Sequence, residues 1–406
     1  MARTAAKLSG GLRLSDFFGV GILGKTFPLK SVRDVLAETR KGSVRQRLLP
    51  AEITVYYVIC LSIYMQVSCQ EVLRCLLDGL PWLGLDMRTV SVAGDSGISQ
   101  ARRRIGTEPL KRLHEMFVRP IAQSATKGAW YRGWRLVSLD GSTQDVADTE
   151  ANATVFGRPP SSRGASAFPQ LRFVSLVENG THVLFGTKYG PYRTAEDTLA
   201  REVICHLCKG MLCMADRGFF SYEMWKLASA TESDLLWRVK KNLRLPVLER
   251  LADGSYLSKV YPNEKARRHD IAGVIVRVVE YKLRDIPGSD PLYRVITTVL
   301  DPAVAPASEL AVLYHDRWEI ETAFDELKTH LRGRQIVLRS KTPELVQQEF
   351  IGLMLAHFAI RGLMHEAALQ SKEDPDRFSY VHAVHVVRRK IPQALAFFPS
   401  ANGSLS

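Results

Sequence analysis

The chain is poor in the features that mark secreted, membrane or unstructured proteins. Six cysteines in 406 residues, in no disulfide-like pattern, exclude a disulfide-stapled scaffold and fit a reducing compartment. No apolar run reaches the roughly 20 residues that cross a bilayer. Val55–Val67 is too short, and the stretch 349–368 carries Glu349, His357 and Arg361. The opening MARTAAKLSGGLRLSDFF has no apolar stretch of the signal-peptide kind, and there is no internal repeat and no low-complexity segment. Acid is also scarce: 42 Asp and Glu stand against 55 Lys and Arg, a net charge of +13. Nine of those thirteen charges fall within residues 1–130. A basic first third on a nearly balanced remainder is the footprint of a polyanion-binding module joined to something else. The length leaves room for two or three domains. The expectation is a soluble cytoplasmic protein that meets nucleic acid and no membrane.

Up to about residue 130 the pattern is helical. Pro50 opens the apolar stretch Ala51–Met65, and Ser68 can cap Cys69–Leu80. Asp95–Gly106 is expected as a helix closed by its glycine, and Thr107 as the cap of a further one with Pro109 in its first turn. The texture changes at Trp134. Arg135–Asp140 is a short apolar run ending in an acid. Gln170–Glu178 and His182–Tyr189 alternate as two strands around an Asn179-Gly180 hairpin signal. Helices are expected over Glu196–Cys208 and Tyr222–Ser229, and strands over Gly210–Asp216 and Leu235–Val239. The segment 243–300 is β-rich, with strands at Leu245–Leu251, Tyr256–Tyr261, Gly273–Leu283 and Tyr293–Leu300. One long helix, Ser308–Leu331, and the helical stretches Pro343–Gln370 and Tyr380–Lys390 complete the pattern.

Asp140 and Asp216 each close a buried-looking strand, and Glu321 lies in the long helix. Strand, hairpin, helix, strand, helix, strand and final helix is the order of an α/β ribonuclease-H-like fold, whose first and fourth strands run side by side. Gathering three carboxylates costs repulsion unless a cation neutralises it, and hard oxygen ligands select Mg²⁺ or Mn²⁺. Two such ions about 3.5–4 Å apart activate a water or a 3′-hydroxyl and stabilise the leaving oxygen of a phosphodiester. Each acid taken alone is equally well a solvated strand or helix end.

The segment YHDRWEIETAFDELK places Tyr314, Arg317, Glu321 and Lys328 at spacings of 3, 4 and 7, one face of a single helix. Read by itself, a Glu between Arg and Lys is a solvated salt-bridge stripe. The pattern resembles the Y-R-E-K signature of bacterial insertion-sequence transposases, specifically the insertion-sequence-four branch of the DDE class. Ser138-Leu-Asp140-Gly-Ser, Ala215-Asp216-Arg217-Gly-Phe-Phe and the stretch Asp148–Gly157 are similar to the family's phrases too, and the resemblance runs over roughly residues 40–395. It implies Asp140, Asp216 and Glu321 as catalytic residues holding two metal ions. Tyr314, Arg317 and Lys328 would engage phosphates of the transposon end, and Trp318 would lie beside the DNA terminus. The 105 positions from Asp216 to Glu321 resemble the branch's β-rich insertion, and Tyr293 is the nearest aromatic for stacking on a flipped base. The family further implies double-stranded DNA as partner (terminal inverted repeats and target), a hairpin intermediate, a homodimer in the synapse and a nucleoid-associated bacterial setting.

Other signals point elsewhere. Gly19–Thr26 satisfies the phosphate-loop pattern ending in Lys25-Thr26, but a broken run precedes it and Pro28 follows. Cys205, His206, Cys208 and Cys213 could suggest zinc, but no second pair stands at finger spacing, so buried small apolar roles are expected for the cysteines. His114-Glu115 and His365-Glu366 lack a second histidine. Arg102-Arg103-Arg104 is the candidate for reading the DNA end, against the alternative of a solvated helix face.

The expected organisation is an all-α DNA-end-binding domain (1–130), the first part of the core (131–242), the β-rich insertion (243–300), the core's last helix (301–340) and C-terminal helices (341–406). The expected function is cut-and-paste DNA transposition. A P-loop ATPase acting on DNA and a catalytically silent DNA-binding descendant are the alternatives; only the first would lose ATP turnover on Lys25→Ala.

Overall fold

The computed structural model describes residues 22–43, 49–79, 93–160, 168–282, 292–317, 319–330 and 337–390. Trp318 and Gly19–Gly21 lie outside the described residues. The chain divides into two compact units. One comprises Met1–Lys127, Gln144–Leu171 and Ala323–Ser406; the other comprises Gly128–Thr143 and Arg172–Thr322.

The first unit is helical, and its composition corrects the expected boundaries: the N-terminal helices and the C-terminal helices belong to one unit. The cause is the Ala51–Ile63 helix, which is apolar on every face and has only Glu52 incompletely buried. Such a helix needs cover all round; the 29-residue Pro343–Ser371 helix supplies most of it, and the Leu29–Glu38, Cys69–Gly79 and Asp95–Ile105 helices supply the rest. The two backbones approach closely at Gly352, where an added Cβ would fall 2.6 Å from the Val58 carbonyl oxygen. Arg102 is buried in the same unit, with its guanidinium donating to Gln348 Oε1 (3.3 Å), Ser340 Oγ (3.1 Å) and the Leu345 carbonyl (2.7 Å). A second buried charge pairs in this interior: Arg361 donates from Nε to Glu326 Oε2 at 2.8 Å, with His357 beside the same carboxylate at 3.5 Å. Lys25 lies in the short Ile22–Thr26 helix and pairs with Glu366 at 2.5 Å. It is therefore a surface ion-pair partner, while the glycines Gly19 and Gly21 of the phosphate-loop pattern lie outside the described residues.

The second unit is built on a ten-stranded sheet. In chain order its strands are β1 (Trp130–Tyr131), β2 (Trp134–Asp145), β3 (Gln170–Glu178), β4 (Val183–Pro191), β5 (Met211–Ala215), β6 (Asp234–Arg238), β7 (Glu249–Arg250), β8 (Tyr256–Val260), β9 (Val274–Tyr281) and β10 (Tyr293–Thr297). The last residues of β2 and the first two of β3 fall to the helical unit. The spatial order is β4-β3-β2-β5-β6-β10-β9-β8-β7, with β1 paired to β2. Counted from β2, the first five core strands stand 3-2-1-4-5, so the first and fourth are neighbours, as in a ribonuclease-H-like α/β sheet. β2, β5 and β6 are parallel, and β10 joins antiparallel to β6. The β-rich segment thus continues the central sheet instead of forming a separate body. Its first strand shrinks from the expected Leu245–Leu251 to β7, because Pro246 has no N–H to give a ladder.

Helix boundaries also moved. The Asp95–Ile105 helix ends at Gly106 with φ of +66°, a conformation glycine adopts freely. Thr107 precedes the Glu108–Phe117 helix in αR geometry and makes no side-chain cap. The expected Glu196–Cys208 helix stops at Val203 and tightens to a 3₁₀ turn, which leaves Cys205 and Cys208 exposed; of these three cysteines only Cys213, in β5, is a buried small side chain. The expected helix 308–331 is two helices, Ala307–Asp316 and Glu319–Asp325, followed by the π-helical turn Glu326–His330, where the Glu326 carboxylate meets Arg361.

Two outcomes follow for stability. Gly352→Ala is expected to cost about 1–3 kcal/mol in urea melts because the Val58 backbone must give way. Replacing either Glu326 or Arg361 alone is expected to cost roughly 3–5 kcal/mol by leaving a buried charge, whereas Glu326→Leu with Arg361→Met should recover most of it in a double-mutant cycle.

Candidate active site

The site is set by strand register. β2 and β5 pair in parallel with Leu139 opposite Ala215, and β5 and β6 with Ala215 opposite Trp237. The next rung, just beyond the last residues that β5 pairs with its two neighbours, therefore carries Asp140, Asp216 and Arg238. Asp140 is not at the end of β2, which runs on to Asp145; it stands where pairing with β5 stops. β5 is buried along its whole length, so the rung rests on a solid floor of Leu212, Met214, Leu236 and Leu136.

The Ala307–Asp316 helix covers this floor, with Leu310, Leu313 and Tyr314 in the same apolar cluster. Its start is tied to the β-rich segment. Buried Arg277 of β9 donates to Ser255 Oγ at 2.8 Å and to the Ala305 carbonyl at 2.7 Å, and it pairs with Asp253. Asp253 Oδ2 in turn accepts the Ala307 N–H at 2.8 Å. Burial would raise the Asp253 pKa, but the donors from Ser255, Ala307 and Arg277 hold it below the usual carboxylate range.

At the other end of that helix Arg317 turns to the acids. Its Nη1 donates to Asp140 Oδ2 at 3.2 Å, and the Gly141 N–H donates to Asp140 Oδ1 at 2.8 Å. Arg238 Nη1 lies 3.6 Å from Asp216 Oδ1, and the Tyr314 hydroxyl donates to the same oxygen at 3.4 Å. Burial pushes the Asp140 pKa up. The Gly141 N–H and Arg317 oppose that push, while Asp216 and Glu196 add to it. Burial alone would lower Arg317, yet the Tyr314 phenol and the carboxylates of Asp140, Asp216 and Glu321 hold its pKa above the ordinary value. Burial likewise raises Tyr314.

An aromatic group stands behind Arg238. Its guanidinium lies 4.4 Å from the Tyr293 ring centroid; Tyr293 stacks on Tyr281 at 5.4 Å, and His315 packs on both. Tyr293, expected to stack on a base, is thus already engaged as a support for Arg238. The Tyr281 hydroxyl is buried without a hydrogen-bond partner among the described residues.

The structure brings together Asp140, Asp216, Tyr314 and Arg317. Glu321 is exposed on the Glu319–Asp325 helix and acts on Arg317 through charge. Among the described residues no three His, Cys, Asp or Glu side chains close on a common metal point. Lys328 is half-buried on the π-helical turn, so a single α-helical face does not extend from Tyr314 to Lys328. Trp318 lies outside the described residues. Of the arginine triplet, Arg102 is corrected from DNA reader to interior residue, whereas Arg103 and Arg104 are exposed, with Arg104 also donating to the Leu49 carbonyl. Sequence reading missed Arg238, Tyr281 and Glu196. Arg238 was within reach, since Leu235–Val239 reads as a strand with one charge in an apolar run. Glu196 has no such signal; its carboxyl carbon would lie 3.2 Å from a Cβ at Gly141.

The donor set suits a hard divalent cation: two aspartate carboxylates side by side, one of them partly desolvated. Asp140 and Asp216 would hold it.

Comparisons with known proteins identify the family. The family model described as insertion element 4 transposase N-terminal matches residues 18–115, and the transposase DDE domain matches residues 133–359. The transposase InsG for insertion sequence element IS4 of Escherichia coli (strain K12) is 25% identical over 372 residues, covering 91% of this chain and 82% of that protein. The putative transposase InsZ of the same organism is 24% identical over 208 residues, 50% of this chain and 65% of its own length. A piggyBac transposase synaptic complex with hairpin DNA superposes with a TM-score of 0.46 at 10% identity over 96% of this chain and 82% of that one, too loose a likeness to add to the family match. With the DDE domain spanning more than half of its length behind an insertion-element-4 N-terminal region, the chain belongs to the DDE transposases of the IS4 family, metal-dependent enzymes that cleave DNA.

Proposed function

We propose that this transposase binds the terminal inverted repeats of its own insertion sequence and cuts them with Asp140, Asp216 and Glu321 as the catalytic acids. The rung that sets Asp140 beside Asp216 under Arg317 carries the reading. Bound divalent ions, two Mg²⁺ or Mn²⁺, would supply Lewis-acid activation of the attacking oxygen and charge relief at the leaving one. The chain's own residues do the rest. Asp140 and Asp216 are held apart at fixed strand spacing, so the acids are pre-positioned before DNA arrives. Arg317 fixes the end's phosphates against the rung, with Lys328 as a further phosphate contact, while Tyr314, buried in the apolar cluster, braces Asp216 through its hydroxyl. The cations offset the repulsion between DNA and an acidic pocket. Glu321 would complete the acids once the phosphates draw Arg317 aside. The freed 3′-hydroxyl then attacks the opposite strand to leave a hairpin and, after its opening, the target DNA. Two ends must be joined, so the active species is a homodimer on DNA.

End recognition falls to the basic N-terminal region, with Arg103 and Arg104 as the exposed arginines of the triplet. Arg103→Ala is expected to weaken binding to a repeat-bearing duplex and to reduce the salt slope by about 1. Arg102→Ala should instead cost roughly 3 kcal/mol of stability and leave the salt slope of the folded protein unchanged.

Cleavage decides the catalytic assignment. With a duplex bearing the flanking inverted repeat, Mg²⁺ should give nicked and hairpin products and EDTA none. Asp140→Asn, Asp216→Asn and Glu321→Gln should each lower the rate by about a thousandfold or more while repeat binding persists. Cleavage that survives EDTA, or a fully active Asp216→Asn, would refute the reading.

A further inference from the structure

The resting site contains an arrangement that catalysis as described uses only in part. Each aspartate of the rung has its own guanidinium: Arg317 on Asp140 at 3.2 Å and Arg238 on Asp216 at 3.6 Å. Both arginine side chains are largely buried, 9% and 14% exposed, and so are held at the acids instead of drifting in solvent. Each is supported from behind by an aromatic ring, Arg317 by Tyr314 at 5.8 Å and Arg238 by Tyr293 at 4.4 Å. Two like-charged carboxylates one strand apart need about this much counter-charge to stay ionised in a partly buried setting.

The same two cations compete with any divalent ion for the same oxygens. A carboxylate oxygen that accepts a guanidinium N–H has less capacity for a metal, and a cation a few ångströms away repels another. Arg317 also has a donor to spare: its Nε is buried with no hydrogen-bond partner among the described residues. A buried N–H left without an acceptor is costly, and the fork of Nε and Nη fits a phosphate in bidentate fashion. DNA supplies such acceptors.

We propose that Arg238 and Arg317 are resident counter-ions of the acid pair, and that each exchanges its aspartate for a DNA phosphate, so that DNA and the divalent cation enter the site together. This rests on the catalytic reading above for the identity of the metal-holding acids, and it assigns Arg238 a role that the Y-R-E-K signature does not contain. Tyr293 and Tyr281 serve it as the rail along which the guanidinium moves. Metal and DNA binding are then positively linked, each tightening the other by the same factor. An enzyme built this way keeps metal out of its cutting site until a phosphate backbone is in place.

The test reads metal binding rather than turnover. Mn²⁺ is titrated into the full chain and free Mn²⁺ is followed by its paramagnetic resonance signal, with and without a random-sequence duplex lacking the repeat. Without DNA, Arg238→Gln and Arg317→Gln should each bind Mn²⁺ about tenfold more tightly than wild type, and Arg238→Lys should stay near wild type. Duplex should tighten Mn²⁺ binding in wild type, and by a smaller factor in either glutamine variant, since its resident cation is already gone. The two glutamine variants lie on different elements, so either one, shown folded by circular dichroism, suffices. Glutamine variants that bind Mn²⁺ no more tightly than wild type would overturn the exchange while leaving the catalytic reading intact, provided Asp140→Asn abolishes binding. Undiminished binding in Asp140→Asn would place the metal elsewhere and defeat both.

Discussion

Two carboxylates on one rung of a parallel sheet are the constraint around which the catalytic unit is arranged. Asp140 and Asp216 are neighbours because β2 and β5 are neighbours in register. The one local relief of their repulsion is the backbone N–H of Gly141; the rest comes from other elements: Arg317 at the end of a covering helix, Arg238 on the third strand of the rung and the Tyr314 hydroxyl. Burial raises the Asp140 pKa despite this. Two paired carboxylates suit a divalent ion and a basic rim suits a phosphate backbone, and a phosphodiester-cutting enzyme needs both.

The β-rich segment has a mechanical part in this arrangement. Because β10 pairs with β6, its strands stiffen the sheet on the side of Arg238, and Tyr281 and Tyr293 stand behind that guanidinium. At its far end Arg277 and Asp253 bind the chain that leads into the Ala307–Asp316 helix, so the position of Tyr314 and Arg317 depends on contacts made more than thirty residues earlier. The segment is long for a connection between a strand and a helix, and its two attachments account for that length.

The helical unit follows a different logic. Its centre is an all-apolar helix wrapped by another of 29 residues, with Arg102, Glu326 and Arg361 drawn into the interior and paired there. Interior arginines of this kind lock helices in register and contribute nothing to a binding surface, so the basic charge of the N-terminal third overstates what is available to DNA. Arg103, one position from Arg102, stays exposed because a helix turns about 100° per residue.

Much of the chemistry was written in local order. The strand–hairpin–helix–strand succession, the acids closing short apolar runs and the spacing of Tyr314, Arg317 and Glu321 all depend on residues near one another in the chain, and they led to the sheet order and the family. Tertiary structure alone decided three other matters. Arg102 and Arg103 look alike in sequence, and only the packing of the Pro343–Ser371 helix makes one of them interior. Arg238 is an ordinary charge at a strand's end until parallel register sets it beside Asp216. Whether the β-rich segment is a separate body or part of the sheet rests on the pairing of β10 with β6, a contact between residues some sixty apart. Periodicity records which face of an element is buried but not what buries it, because the partner's identity is a property of the whole chain.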